Sequence, residues 1–151
     1  MRRVVPLLIV LCLGFAPAPV FREPPKAARG EFRGTWRQVS IEFEGTDQTA
    51  ANEPHRLHWV VEADKITIFS KGKQNRGSWS YRLDTSGKPA RLDLTTPGGV
   101  TMPAILRVEG DRLTVLLQNF PKNGRPNDFG DWSKPGVGRH VMERVKSGEV
   151  E

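Results

Sequence analysis

Gly34-Thr35-Trp36-Arg37-Gln38-Val39-Ser40-Ile41-Glu42-Phe43-Glu44 is the stretch that decides the fold. Val39, Ile41 and Phe43 alternate with Ser40 and Glu42, the period of a strand with one apolar face. Trp36 is out of phase with that set. A tryptophan so placed sits before a bulge or in a lead-in turn, where it plugs the end of a core instead of joining its wall. The stretch therefore predicts a first strand over 32–44, entered through Gly34.

Working outward, the same alternation recurs at short intervals. Leu57, Trp59 and Val61 mark a strand over 56–62, and Ile66 and Ile68 one over 65–70. Trp79, Tyr81 and Leu83 mark 76–84, and Leu92 and Leu94 mark 91–95. Val100, Met102, Ala104, Leu106 and Val108 share a phase over 100–109, with Pro103 on the opposite face at an edge-like or bulged position. Leu113, Val115 and Leu117 define 112–118, and a last strand runs over 137–145. Residues 45–54 read as a polar loop. Turn chemistry separates most of the strands, as at Ala63-Asp64, Pro97-Gly98-Gly99 and Gly110-Asp111.

Eight short strands joined mainly by tight turns pair antiparallel with their chain neighbours. They close into a single eight-stranded up-and-down barrel, which removes the exposed sheet edges. The class is all-β. A barrel of this size is filled by its own side chains or holds one small ligand.

Composition narrows the function. The chain is 37% hydrophobic and 26% charged, too apolar for a disordered segment. Its net charge of +6 first suggests nucleic acid as a partner. Arg2 and Arg3 belong to the N-terminal leader, however, and the other basic residues are interleaved with acids. A solvated mixed surface follows, and no nucleic-acid partner is expected.

Residues 1–18 read as a secretory signal peptide: Arg2-Arg3, an apolar run over 4–15, then Ala16-Pro17-Ala18. The run is shorter than the roughly 20 residues that span a bilayer, so no integral span is expected once the signal is removed. An uncleaved anchor and lipidation of Cys12 are the alternatives, and Leu11 stands where lipidation wants a small residue. Cys12 is the chain's one cysteine, so the processed domain would fold without disulfides. Residues 19–30 form a Pro/Ala-rich linker, 31–146 the barrel domain, and 147–151 a tail. The expected location is exported, in the periplasm, the cell envelope or outside the cell.

Gly34-Thr35-Trp36, with Arg144 late in the last strand, resembles the lipocalin arrangement, in which an arginine of the final strand packs across the motif's tryptophan. The whole of 31–146 resembles, more closely, a family of small exported lipocalin-like proteins of unknown function, known chiefly from planctomycete bacteria. The matching pieces are Gly34-Thr35-Trp36, the strand pair within 56–69, Arg125-Pro126-Asn127-Asp128-Phe129, Ser133-Lys134-Pro135-Gly136, and Arg144. The resemblance implies the barrel and a structural closure by Gly34, Trp36 and Arg144. It implies no particular activity. Glu109-Gly110-Asp111-Arg112 stands where lipocalins carry a Thr-Asp-x-Tyr type of motif.

Trp59, Trp79, Tyr81 and Met102 are the candidate ligand-binding residues, because inward aromatics line an apolar pocket if one barrel end is open. In a closed barrel the same side chains are simply core. In the long 119–136 loop, Arg125 and Asp128 are expected to pair around Pro126, with Phe129 and Trp132 covering a barrel end. His55 and His58 are an odd step apart and point to opposite faces, so they share no metal, and His55, His58 and His140 read as exposed. No nucleophile–base motif appears, so no catalytic residue, metal or cofactor is assigned. The expected function is non-catalytic binding of a small apolar ligand. The alternative is a filled barrel acting as a structural or protein-interaction module of the cell envelope.

Overall fold

Alternating side chains become strands in the computed structural model, which describes residues 30–70 and 73–146. The leader, nearly all of the linker and the tail lie outside the described residues. The strands are β1 (Gly34–Phe43), β2 (Thr46–Asp47), β3 (Leu57–Val61), β4 (Lys65–Ser70), β5 (Lys73–Asp84), β6 (Ala90–Thr95), β7 (Thr101–Glu109), β8 (Arg112–Gln118) and β9 (Val137–Arg144). The order β1-β3-β4-β5-β6-β7-β8-β9 is antiparallel throughout, and β1 also pairs with β9. That last pairing closes an eight-stranded up-and-down barrel. β2 is a two-residue addition to the end of β1. No helix of the described residues is long and apolar enough to cross a membrane.

The phase break in β1 is a bulge. Gln38 pairs with Met142, but the next partner on β9, Val141, faces Ser40, so Val39 is the extra residue. The shift turns Trp36 and Gln38 inward before it and Ile41 and Phe43 inward after it. It also separates β1 from β3, whose ladder stops at Arg37↔His58. The gap is occupied by an excursion that sequence reading took for a polar loop: β2, a helical turn α1 (Thr49–Asn52), and a 3-10 turn over Glu53–His55. His55 is therefore not on a strand. α1 is tied to β1 through the Ile41 N–H, which donates to Thr49 Oγ1 at 3.1 Å.

Inward residues of the eight barrel strands form one core with Trp36 and Phe32, both fully buried. A second, smaller core lies outside the barrel wall. Ile105↔Leu116 and Leu116↔Arg139 are outward register positions, yet Ile105, Leu116 and Val137 are buried. Phe129 and Trp132 of the 119–136 loop cover them. These aromatics therefore face the barrel's side and not its end, because the outward face of β7–β9 offers apolar surface to bury. Arg107 and Arg139 stack on them, 4.7 Å from the Phe129 centroid and 4.8 Å from that of Trp132.

Arg125 does not pair with Asp128. Its guanidinium donates to the carbonyls of Leu92, at 2.8 Å, and Ala104, and to the Asp93 carboxylate. Asp128 instead accepts from the Gly130 N–H and caps the 3-10 turn Phe129–Ser133. Pro103 pairs with Asp93 on one side but lies beyond the β8 ladder, which begins at Ala104↔Leu117. Val100 precedes β7 and is 52% exposed, outside the inward set.

Candidate ligand site in the barrel

The two ends of the barrel differ. At one end, Arg144 Cζ lies 4.2 Å from the Trp36 ring centroid. Arg144 also donates to the carbonyls of Arg33 at 2.8 Å and Glu31 at 2.5 Å. The Trp36 indole N–H donates to Phe32 O at 2.8 Å. Gly34 makes this possible: its φ is +121°, and a Cβ there would meet Arg144 Nη1 at 2.8 Å. Phe32 meets Tyr81 edge-on at 5.5 Å, and the Tyr81 hydroxyl donates to Glu62 O at 2.7 Å. This end is sealed.

At the other end the barrel contains a cavity of about 530 Å³, within the range of small-molecule sites. Its wall is built from inward positions of five strands: Leu57 and Trp59 of β3, Trp79 of β5, Met102 of β7, Leu117 of β8 and His140 of β9. Asn119 and the β6–β7 turn at Thr96, Pro97 and Gly98 complete it. Gly138 occupies the inward position between Leu117 and Phe43 in register. Its missing side chain lets two wall groups close in, since a Cβ there would press to 3.3 Å on both His140 Nε2 and Asn119 Nδ2.

Of the four residues singled out from sequence, Trp59, Trp79 and Met102 line this cavity. Tyr81 does not, because two residues further along β5 it belongs to the sealed end. The principal residues that sequence reading missed are His140, read as exposed, and Gln38. His140 is 8% exposed and Gln38 4%. β9 carries apolar residues on both faces, with Val137 and Val141 outward and Met142 inward, so its periodicity does not show which way His140 points.

Leu57, Gln38 and His140 form a hydrogen-bonded chain at the site. The Leu57 N–H donates to Gln38 Oε1 at 3.2 Å, standing in for the β1–β3 ladder that the bulge interrupts. A backbone N–H can only donate, so this bond fixes the Gln38 amide. Gln38 Nε2 therefore donates to His140 Nδ1 at 3.1 Å. Burial lowers the His140 pKa from 6.5 to about 4, so the ring is neutral near pH 7. With Nδ1 accepting, the single ring proton is on Nε2. The Trp59 ring lies 6.1 Å from the imidazole.

The tryptophans repeat the contrast between the ends. Trp36 Nε1 has an acceptor, whereas Trp59 Nε1 and Trp79 Nε1 are buried without one. A buried N–H left unpaired costs about 1–3 kcal/mol. The unpaired donors belong to two tryptophans whose rings contribute to the cavity wall.

A second cavity, of about 470 Å³, lies outside the barrel between Lys88, Arg91, Ile105 and Arg125. The Arg125 guanidinium there is already committed to Leu92, Ala104 and Asp93.

Comparison with models of known protein families and with curated proteins finds no match to this chain.

Proposed function

We propose that this is an exported, non-catalytic lipocalin-like binding protein that holds a small apolar ligand in the open half of its barrel. The observation that carries this reading is the cavity of about 530 Å³ opposite the Trp36–Arg144 closure, walled by Trp59, Trp79, Met102, Leu57 and Leu117. Burying a ligand against such a wall releases about 25 cal/mol per Å² of apolar surface. The export part rests on the leader-like sequence of residues 1–18.

The rival reading, an envelope module that binds a protein partner through its loops, draws on the filled half of the barrel and on Phe120. That side chain is 55% exposed in the 119–136 loop. The neutral fluorophore N-phenyl-1-naphthylamine separates the two. The ligand reading expects saturable fluorescence enhancement that aliphatic competitors reverse. Absence of displaceable binding below the onset of aggregation would leave the interaction module standing.

A further inference from the structure

We infer that the ligand of this cavity carries a neutral hydrogen-bond acceptor, a ketone, ester or amide carbonyl on an apolar body, and that His140 Nε2–H recognises it, with Gln38 as the positioning residue. The inference rests on the apolar-ligand reading and adds the chemistry of the ligand's polar group.

Three observations combine. Gln38 is held by the Leu57 N–H and in turn donates to His140 Nδ1, which leaves the imidazole its proton on Nε2. His140 lines the cavity beside Trp59 and Asn119, it is 8% exposed, and its Nε2 has no hydrogen-bond partner among the described residues. The wall then presents a donor and asks for an acceptor.

Charge decides between acceptors. The described wall residues include no lysine or arginine. A carboxylate placed against Trp59, Met102 and Leu117 would lose its hydration with no cation among the described wall residues to replace it. A neutral carbonyl accepts the same hydrogen bond without that penalty. The cavity is large enough for a body of about ten heavy atoms, well inside the range of small-molecule sites.

The test is competition against N-phenyl-1-naphthylamine at pH 7.5, using nonane, 2-nonanone and nonanoate as displacing compounds on wild-type protein and His140→Phe. In the wild type, 2-nonanone is expected to bind at least about tenfold more tightly than nonanoate. In His140→Phe the preference for 2-nonanone over nonane is expected to fall about tenfold, each affinity being measured against the probe's own affinity for that variant. Tighter binding of nonanoate than of 2-nonanone, or an equal response of nonane and 2-nonanone to the substitution, would overturn the inference and leave the apolar-ligand reading intact. Failure of the wild type to bind the probe and nonane would overturn that reading and the inference with it. Long-range proton–nitrogen NMR of the wild type gives an independent readout that needs no variant. The expected result is a proton on His140 Nε2 whose resonance shifts with 2-nonanone and not with nonane. A proton on Nδ1 would contradict the assignment.

Discussion

Arg144, from the last strand, lies over the ring of Trp36, from the first, with its guanidinium carbon 4.2 Å from the ring centroid. Because β1 and β9 are the two strands whose pairing closes the sheet, this contact locks the closure at one end. The cation–π contribution is about 0.5–2 kcal/mol, and the same guanidinium satisfies the carbonyls of Arg33 and Glu31. Arg144→Lys keeps the charge but loses the fork that reaches both carbonyls. It is expected to lower unfolding free energy by about 1–2 kcal/mol in urea titration. An unchanged midpoint would show that charge alone suffices.

The tryptophans are expected to respond differently to loss of the indole N–H. Trp36→Phe strands the Phe32 carbonyl in a fully buried setting. Trp79→Phe removes a buried donor that has no acceptor. Trp36→Phe should therefore cost at least about 1 kcal/mol more than Trp79→Phe. Equal losses in chemical denaturation would mean that the two donors are equally satisfied.

Stability should depend on His140 across a defined pH range. Its ordinary value is 6.5, and burial lowers it to about 4 in the fold. Between those values the unfolded chain binds the extra proton, so stability rises with pH. The contribution is complete above 6.5 and is lost as pH falls toward 4. It amounts to about 3 kcal/mol. Asp47, Asp84 and Asp131 are held below 3.8, chiefly by hydrogen bonds with Thr49, Ser86 and Lys134, so their losses come at lower pH. His58 is also lowered, mainly by burial, and shares part of the window. The clean measurement is thus a difference: His140→Phe should show a flatter unfolding free energy between pH 6.5 and 4 than the wild type. Parallel profiles would contradict the assignment.

Gly136 should tolerate no side chain. Its φ is +76°, and a Cβ would collide with Gln118 Oε1 and Phe120 Cδ2. Gly136→Ala is expected to cost about 1–3 kcal/mol by thermal or urea unfolding. A neutral result would mean that the end of the 119–136 loop rearranges at little cost.

The barrel was legible because period-two alternation survives in nearly every strand, and of the two readings of the out-of-phase Trp36, a bulge or a lead-in turn, the β1–β9 register contains the bulge, between Gln38 and Ser40. What lay beyond the sequence were contacts set by three-dimensional neighbours. Arg125 has Asp128 three residues away, but its partner Asp93 is 32 residues away on β6. Phe129 and Trp132 suited a lid by composition, yet the apolar outward positions Ile105 and Leu116 drew them to the barrel's side. Val100 shares the inward parity of β7 but falls before the strand begins. Of the candidate site, the aromatic wall at Trp59 and Trp79 followed from alternation. The Gln38–His140 pair spans 102 residues, and it required knowing where the bulge interrupts the ladder.

The central claim is that the cavity walled by Trp59, Trp79, Met102 and His140 holds the ligand, and forcing a side chain against its wall at Gly138 is the most direct test. Gly138 lacks the positive φ that would forbid a side chain, and its Cβ vector points toward His140 Nε2 and Asn119 Nδ2. Titration of N-phenyl-1-naphthylamine into wild-type protein and Gly138→Leu, with folding of each checked by circular dichroism, gives the comparison. Saturable, displaceable binding to the wild type and at least about a tenfold loss in folded Gly138→Leu is the predicted result. Equal binding by the two folded proteins, or none by the wild type, would contradict it.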